Sequence, residues 1–279
     1  MEMTDNLPSL FAETEWEISK KLALRTGIRA EYSSLLQEPA LLPRISAAYK
    51  TGTYSQFSFA WGKYRQKPEN EYLQFAPQLS PEKADHYILN FQYRKHRRTF
   101  RVEGYLKYYD ELVKFASPYS PVAADYNNDG YGRAEGIDLF WRDSESLRGS
   151  DYWISYSFLN TSRDYQDYPE SVIPSFASAH NLSVVYKRFF ERLKILGGVT
   201  YSFASGRPYN DPNSPVFMDG RTRTYNDISL NLTYLTTLFR KDCIIHLNIT
   251  NLLGFDNVFG YSYAGTPDES GTYASQAIV

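Results

Sequence analysis

The sequence predicts an all-β fold, an antiparallel up-and-down β-barrel whose strands cross a membrane. Three observations carry that expectation. Apolar and polar residues alternate along about twelve segments of strand length, the period-2 pattern of a sheet with two unlike faces. The links between these segments alternate between tight turns and longer loops, as in outer-membrane barrels. Composition fits as well: 25 Tyr and 17 Phe in 279 residues favour strands. Mean hydropathy is -0.49, and no apolar run reaches the roughly 18 residues that a membrane helix needs.

The expected strands cover approximately 9–18, 22–33, 42–50, 53–64, 85–95, 99–114, 133–144, 151–161, 179–189, 193–204, 224–236 and 243–253. In the second, Leu22, Leu24, Ile28, Ala30 and Tyr32 share one face, and Arg25, Arg29 and Glu31 share the other. Phe57, Phe59 and Trp61 alternate with Gln56, Ser58 and Ala60. Phe100, Val102, Leu106 and Tyr108 stand opposite Arg101, Glu103, Tyr105, Lys107 and Tyr109. Near the C-terminus, Ile228, Leu230, Leu232 and Tyr234 alternate with Asp227, Ser229, Asn231 and Thr233, and Ile245, Leu247 and Ile249 with His246, Asn248 and Thr250. Charges in mid-strand, such as Arg25, Arg29, Glu103, Lys107 and Asp138, suit a wet lumen better than a dry core. A soluble sheet packing its apolar face into a core is the competing reading.

Short links are expected at 19–21, 51–52, 95–98, 144–150, 191–192 and 238–242, and longer ones at 34–41, 65–84, 115–132, 162–178, 205–223 and 254–279. Trp16, Trp61, Trp141 and Trp153 are read as lying near strand ends, where interfacial aromatic girdles sit.

Other chemistries find little support. With 30 Lys and Arg against 32 Asp and Glu, the chain lacks the basic surplus of a nucleic-acid binder. A lone Cys243 forms no internal disulfide and no CxxC site. His86, His96, His180 and His246 are not at ligand spacing. G-x-S-x-G, P-loop and H-E-x-x-H motifs do not occur. Paired carboxylates such as Glu13 and Glu15 follow from alternation on a polar face, so no catalytic residue and no cofactor is expected. Asp125, Asn127 and Asp129, followed by Gly130, match the opening of a calcium loop. Position twelve, however, is Gly136 instead of a bidentate Glu, with Glu135 one place early, so the run reads as a Gly- and Asx-rich loop and no metal is expected. In loop 205–223, Arg207, Tyr209, Arg221 and Arg223 supply aromatic and guanidinium groups suited to gripping a polar ligand.

Several segments resemble TonB-dependent receptor barrels: FRVEGYLKYYDELV at 100–113, GIDLFWR at 136–142, YSFASGRPY at 201–209 and NITNLLGFDNVFGY at 248–261. The last is similar to that family's penultimate strand and following loop, in the style of receptors of the Bacteroidetes type. The resemblance implies a 22-stranded barrel in the outer membrane of a Gram-negative bacterium. Such a barrel binds a scarce nutrient (a ferric siderophore, cobalamin or a glycan) in its outer loops and is worked by the TonB complex through a plug and an N-terminal box. Against that pattern, the chain reads as a partial barrel over 1–279, strands ten to twenty-one, incomplete at both ends. Signal peptide, plug, box and closing strand are not recognised in it. The implied partners are outer-membrane lipid and lipopolysaccharide, the TonB complex and the nutrient, with no nucleic acid. The alternatives are a free-standing small barrel acting as a passive pore, or a secreted carbohydrate-binding β protein.

Overall fold

The computed structural model describes residues 4–117 and 119–279; the first residues of the segment read for a leader lie outside them. Strands run in chain order as β1 (Ser9–Glu17), β2 (Leu22–Ser33), β3 (Glu38–Lys50), β4 (Ser55–Gln66), β5 (Glu82–Lys95), β6 (Arg98–Phe115), β7 (Tyr126–Asp143), β8 (Ser150–Asp164), β9 (His180–Phe190) and β10 (Ile195–Ala204). They continue as β11 (Pro208–Tyr209), β12 (Gly220–Arg221), β13 (Tyr225–Leu238), β14 (Lys241–Ile249), β15 (Gly260–Tyr263) and β16 (Ser275–Ile278). Twelve of them form one sheet in the order β1 to β10, then β13 and β14. Each of those strands neighbours its predecessor in sequence, which is the up-and-down order. The sheet does not close on itself: β1 and β14 are its two edges. β11 with β12, and β15 with β16, are separate two-stranded ribbons.

Register turns alternation into faces. Trp16 pairs with Leu24, Leu24 with Ala47 and Ala47 with Phe59, an apolar row across four strands. One residue along, Glu15, Arg25, Ser46 and Ala60 form the polar row behind it. Farther along the chain, Tyr152, Tyr186, Val199, Leu230 and Ile249 make another apolar row. Asp151, Lys187, Gly198, Asn231 and Asn248 back it. The apolar face is not covered by protein: Leu41, Leu89 and Leu247 are 67%, 56% and 50% exposed. A continuous apolar surface left bare in this way is what a lipid-facing sheet presents.

Tight turns close one end of the strands. The turn after β7 is built by Asp143, which is buried. Its carboxylate accepts the Ser146 hydroxyl at 2.5 Å and the N–H groups of Glu145 and Ser146 at 2.8 and 2.9 Å, and it faces the Arg98 guanidinium at 3.2 Å. Trp16, Trp141 and Trp153 lie within a few residues of such turns, whereas Trp61 sits in the middle of β4 opposite Ile45. The expected end position therefore fails for Trp61.

Strand ends depart from expectation at several places: β14 stops at Ile249 instead of 253, β5 begins three residues early and β8 ends three residues late, and the starts of β3 and β7 shift further. β3 begins at Glu38, which leaves only 34–37 as the link from β2. Pro39 and Pro43 lie opposite Tyr32 and Ile28 of β2 and outside residues 44–50 that pair with β4, so neither removes a bond from the β3–β4 ladder. β7 begins at Tyr126, so the Gly- and Asx-rich run is strand and not loop. Its glycines serve packing: a Cβ on Gly130 would stand 2.5 Å from the Leu112 carbonyl oxygen and 2.8 Å from that of Asp164. Asp125 lies in a one-turn 3-10 helix (Ala123–Asp125) and accepts the Ser120 hydroxyl. Asn127 accepts the Asp129 N–H at 2.9 Å. Extended backbone spaces Asn127 and Asp129 by about 6.6 Å on one face of the strand, in place of the turn that a calcium loop makes there. Among the described residues no group of three or more His, Cys, Asp or Glu is placed to hold a metal.

The chain divides into two compact units. The first comprises Met1–Phe91, Glu103–Gly136 and Asn160–Pro174. At its loop end a short helix, α1 (Asn70–Leu73), and the segment after it fold down, burying Leu73, Ala76 and Leu79 against Val113, Phe115 and Tyr126. Along its polar face, the Arg44 guanidinium lies 4.9 Å from the Tyr64 ring centre, Tyr64 packs tilted against His86 at 4.4 Å, and Arg163 lies 4.2 Å from the Tyr109 ring centre. Gly62 and Gly132 lie beneath the two arginine stems, where a Cβ would come within 3.1 Å of Arg44 Cγ and 2.9 Å of Arg163 Cγ. The second unit comprises Gln92–Val102, Ile137–Leu159 and Ser175–Val279 and holds loop 205–223.

Candidate functional site

Beneath that loop, on the polar face of β8, β9, β10 and β13, lies a cleft of about 390 Å³. Its cause is visible in the register. Ser155 pairs with Ser183, Ser183 with Ser202 and Ser202 with Asp227. Two residues nearer the loop, Ser157, Asn181, Ala204 and Tyr225 form a second row. Both rows are made mostly of small side chains, so the face is hollow where bulkier residues would fill it. Ser155, Ser157, Ser183 and Ser202 line the cleft, and their hydroxyls have no hydrogen-bond partner among the described residues. Asp227 closes the first row with its carboxylate occupied, accepting the Ser229 hydroxyl at 2.6 Å and the Asn251 N–H at 2.7 Å. Tyr225 packs on Phe259 with ring centres 5.8 Å apart, forming an aromatic wall.

The roof is the ribbon of β11 and β12. Pro208 pairs with Arg221 and Tyr209 with Gly220. At its stem the Thr222 N–H donates to the Arg207 carbonyl and the Arg207 N–H to the Thr222 hydroxyl, both at 2.9 Å. The two segments approach so closely that a Cβ on Gly206 would overlap the Thr222 carbonyl oxygen. Tyr209 packs against Tyr261 with ring centres 4.7 Å apart and the planes tilted by 44°. Beside it, burial together with the Asp211 carboxylate and Tyr209 pushes the Tyr263 hydroxyl up to about 12.

Of the four loop residues singled out by sequence, the structure brings Arg207 and Arg223 to the cleft. Both are exposed, and neither guanidinium makes an ion pair or hydrogen bond among the described residues. Arg221 is turned to its own ribbon, donating to the carbonyls of Met218 and Gly220 at 2.9 and 2.8 Å. Tyr209 belongs to the tyrosine cluster. The serine rows were missed by sequence reasoning; their signal is Ser on the polar phase of three successive strands, which becomes a row only once register is known. Chemically, the cleft offers two cations and a field of hydroxyls without partners among the described residues, one amide and an aromatic wall.

A family model described as "TonB dependent receptor-like, beta-barrel" matches residues 3–252. No curated protein sequence matches the chain. Among solved structures, the sheet superposes on the outer membrane transporter YddB from Escherichia coli with a TM-score of 0.71 at 13% identity, covering 97% of this chain and 44% of that one. The ferric-catecholate import receptor Fiu from Escherichia coli K12 gives 0.72 at 13% identity, covering 98% and 43%. The FrpB iron transporter from Neisseria meningitidis gives 0.71 at 13% identity, covering 90% and 40%. The chain thus spans less than half the length of these structures. Family match, strand order and bare apolar face agree, and the chain belongs to the TonB-dependent receptors, within their β-barrel domain.

Proposed function

We propose that this chain is the C-terminal part of the barrel of an outer-membrane receptor that takes up a scarce nutrient by TonB-dependent, energy-coupled transport. The observation that carries the reading is the match of twelve consecutive strands to the family model and to structures named as transporters and import receptors. Their coverage of 40–44% supports a partial barrel, whose remaining strands, plug and TonB-contacting box belong to sequence beyond these residues. The likeness to receptors of the Bacteroidetes type rests on the sequence motifs alone. The lipid of the outer membrane covers the apolar face. The nutrient is met by the loop ends, Arg207 and Arg223 touching it while Tyr209 and Arg221 hold the ribbon in shape. The chemistry is binding and release, with no covalent step.

The test is uptake of a labelled nutrient by cells carrying the receptor, with and without a protonophore. Energy-coupled transport predicts that uptake collapses when the proton gradient is discharged. Uptake that survives discharge and follows the external concentration contradicts the proposal and favours a passive pore.

A further inference from the structure

We infer that the cleft under the β11–β12 ribbon takes a sugar acid, a polyol bearing one carboxylate, of aldonate or uronate type. The inference rests on the uptake reading for its setting and goes beyond it by naming the ligand class.

Size comes first. A volume of about 390 Å³ sits near the low end of the ~300–1,000 Å³ usual for ligand pockets, so the cleft suits a single-ring or open-chain ligand. Charge comes second. Arg207 and Arg223 stand at the rim without an acidic partner among the described residues. The nearest carboxylate in the rows, Asp227, is buried and already holds a hydroxyl and an N–H. Two unpaired guanidiniums recognise a carboxylate by charge-assisted, bidentate hydrogen bonding.

Hydrogen-bond supply comes third and separates ligand classes. Ser155, Ser157, Ser183 and Ser202 each offer one donor and two acceptor lone pairs, spread over three strands. A row of hydroxyls matches a ligand that carries a row of hydroxyls. A flat aromatic chelate would cover these groups without satisfying them, and a buried hydroxyl left unpaired is costly. The Tyr225–Phe259 wall supplies an apolar face for the C–H side of a sugar backbone.

The experiment is calorimetric titration of the purified receptor that contains this chain, in dimethyldodecylamine-oxide micelles, which contain no sugar. Five probes are used: gluconate, glucuronate, sorbitol (the polyol without the carboxylate), propionate (the carboxylate without the polyol) and 2,3-dihydroxybenzoate. Gluconate or glucuronate is expected to bind at least about tenfold more tightly than sorbitol or propionate. Arg207→Gln with Arg223→Gln should reduce that ligand to sorbitol's strength and leave sorbitol unchanged. Ser183→Val, which fills the floor, should weaken the acid and sorbitol together. Among the described residues the side chains of Arg207 and Arg223 make no hydrogen bond or ion pair whose loss would open the ribbon, and strand content by circular dichroism checks each variant.

Sorbitol within about twofold of both acids, or propionate equal to them, overturns the inference. Tighter binding of dihydroxybenzoate with the same arginine dependence overturns the ligand class while leaving uptake standing. Absence of binding by all five probes, in a receptor whose uptake still needs the proton gradient, overturns the inference alone. Sugar-acid binding in a receptor indifferent to the gradient overturns the uptake reading alone.

Discussion

Gly206→Ala isolates the contact that holds the roof of the cleft. The added Cβ would overlap the Thr222 carbonyl oxygen and stand 3.0 Å from its carbon, whereas a carbon and a carbonyl oxygen need roughly 3.3 Å. The neighbour is backbone and cannot swing aside, so the two segments must part by on the order of 1 Å. That displacement stretches the reciprocal pair between Arg207 and Thr222, two hydrogen bonds of 2.9 Å worth about 1 kcal/mol each. Stiffening of the unfolded chain by alanine returns roughly 0.4–1 kcal/mol, which leaves a net loss of about 1–2 kcal/mol. Such a loss raises the open fraction of the ribbon roughly 5- to 30-fold. Limited trypsin digestion in micelles reads this at Arg221 and Arg223, since cleavage of a transiently open segment follows its open population. Gly265→Ala is the control, because a Cβ there meets nothing within 4 Å. The variant should be cut at Arg221 and Arg223 at a rate raised by that factor, with the control at the wild-type rate. Equal rates for Gly206→Ala and wild type would refute the close approach.

Further outcomes follow from the same structure. Leu232→Arg, in the middle of the apolar row of β13, should cost about 2–4 kcal/mol of stability in bilayers if that row faces lipid, and Asn231→Arg on the opposite face far less; chemical unfolding in vesicles compares them. Gly132→Ala should push Arg163 off Tyr109, losing about 0.5–1 kcal/mol of cation–π contact, read as a lower unfolding midpoint in micelles. Asp268 accepts the hydroxyl and N–H of Ser270 at 2.6 and 2.9 Å and the Thr272 N–H at 2.9 Å, which hold its pKa below the ordinary 3.8. A depressed folded pKa makes its contribution complete above 3.8, and the contribution is lost as pH falls through the folded value. Amide exchange at Ser270 and Thr272, corrected for intrinsic rates, should therefore quicken on acidification below that range, and Asp268→Asn should abolish the dependence.

The strands were legible because the two faces of the sheet are unlike. Leu230, Leu232 and Tyr234 alternate with Asn231 and Thr233, as a sheet with one apolar and one polar face requires, and that alternation survives without knowledge of the fold. Strand ends were less legible, since Asp, Asn, Gly and Pro have the same local preferences whether they turn a chain or fill a crowded ladder. Gly130 looked like turn chemistry and is a packing requirement set by Leu112 and Asp164, residues far away in sequence. The candidate site divided along the same line. Arg207 and Arg223 could be picked out as loop cations, but nothing local distinguishes them from Arg221, whose guanidinium is spent on Met218 and Gly220. The serine rows needed the register of four strands. Register follows from the whole set of facing side chains, not from any single segment.

The central claim is that the sheet crosses a membrane with one face in lipid. Single cysteines placed at 228–234 of the Cys243→Ser protein, labelled with a fluorophore and reconstituted in vesicles, test it most directly. The account predicts that labels at Ile228, Leu230, Leu232 and Tyr234 are quenched by brominated lipid, and those at Ser229, Asn231 and Thr233 by aqueous iodide. Uniform quenching by iodide along the strand, or the two phases reversed, would contradict it.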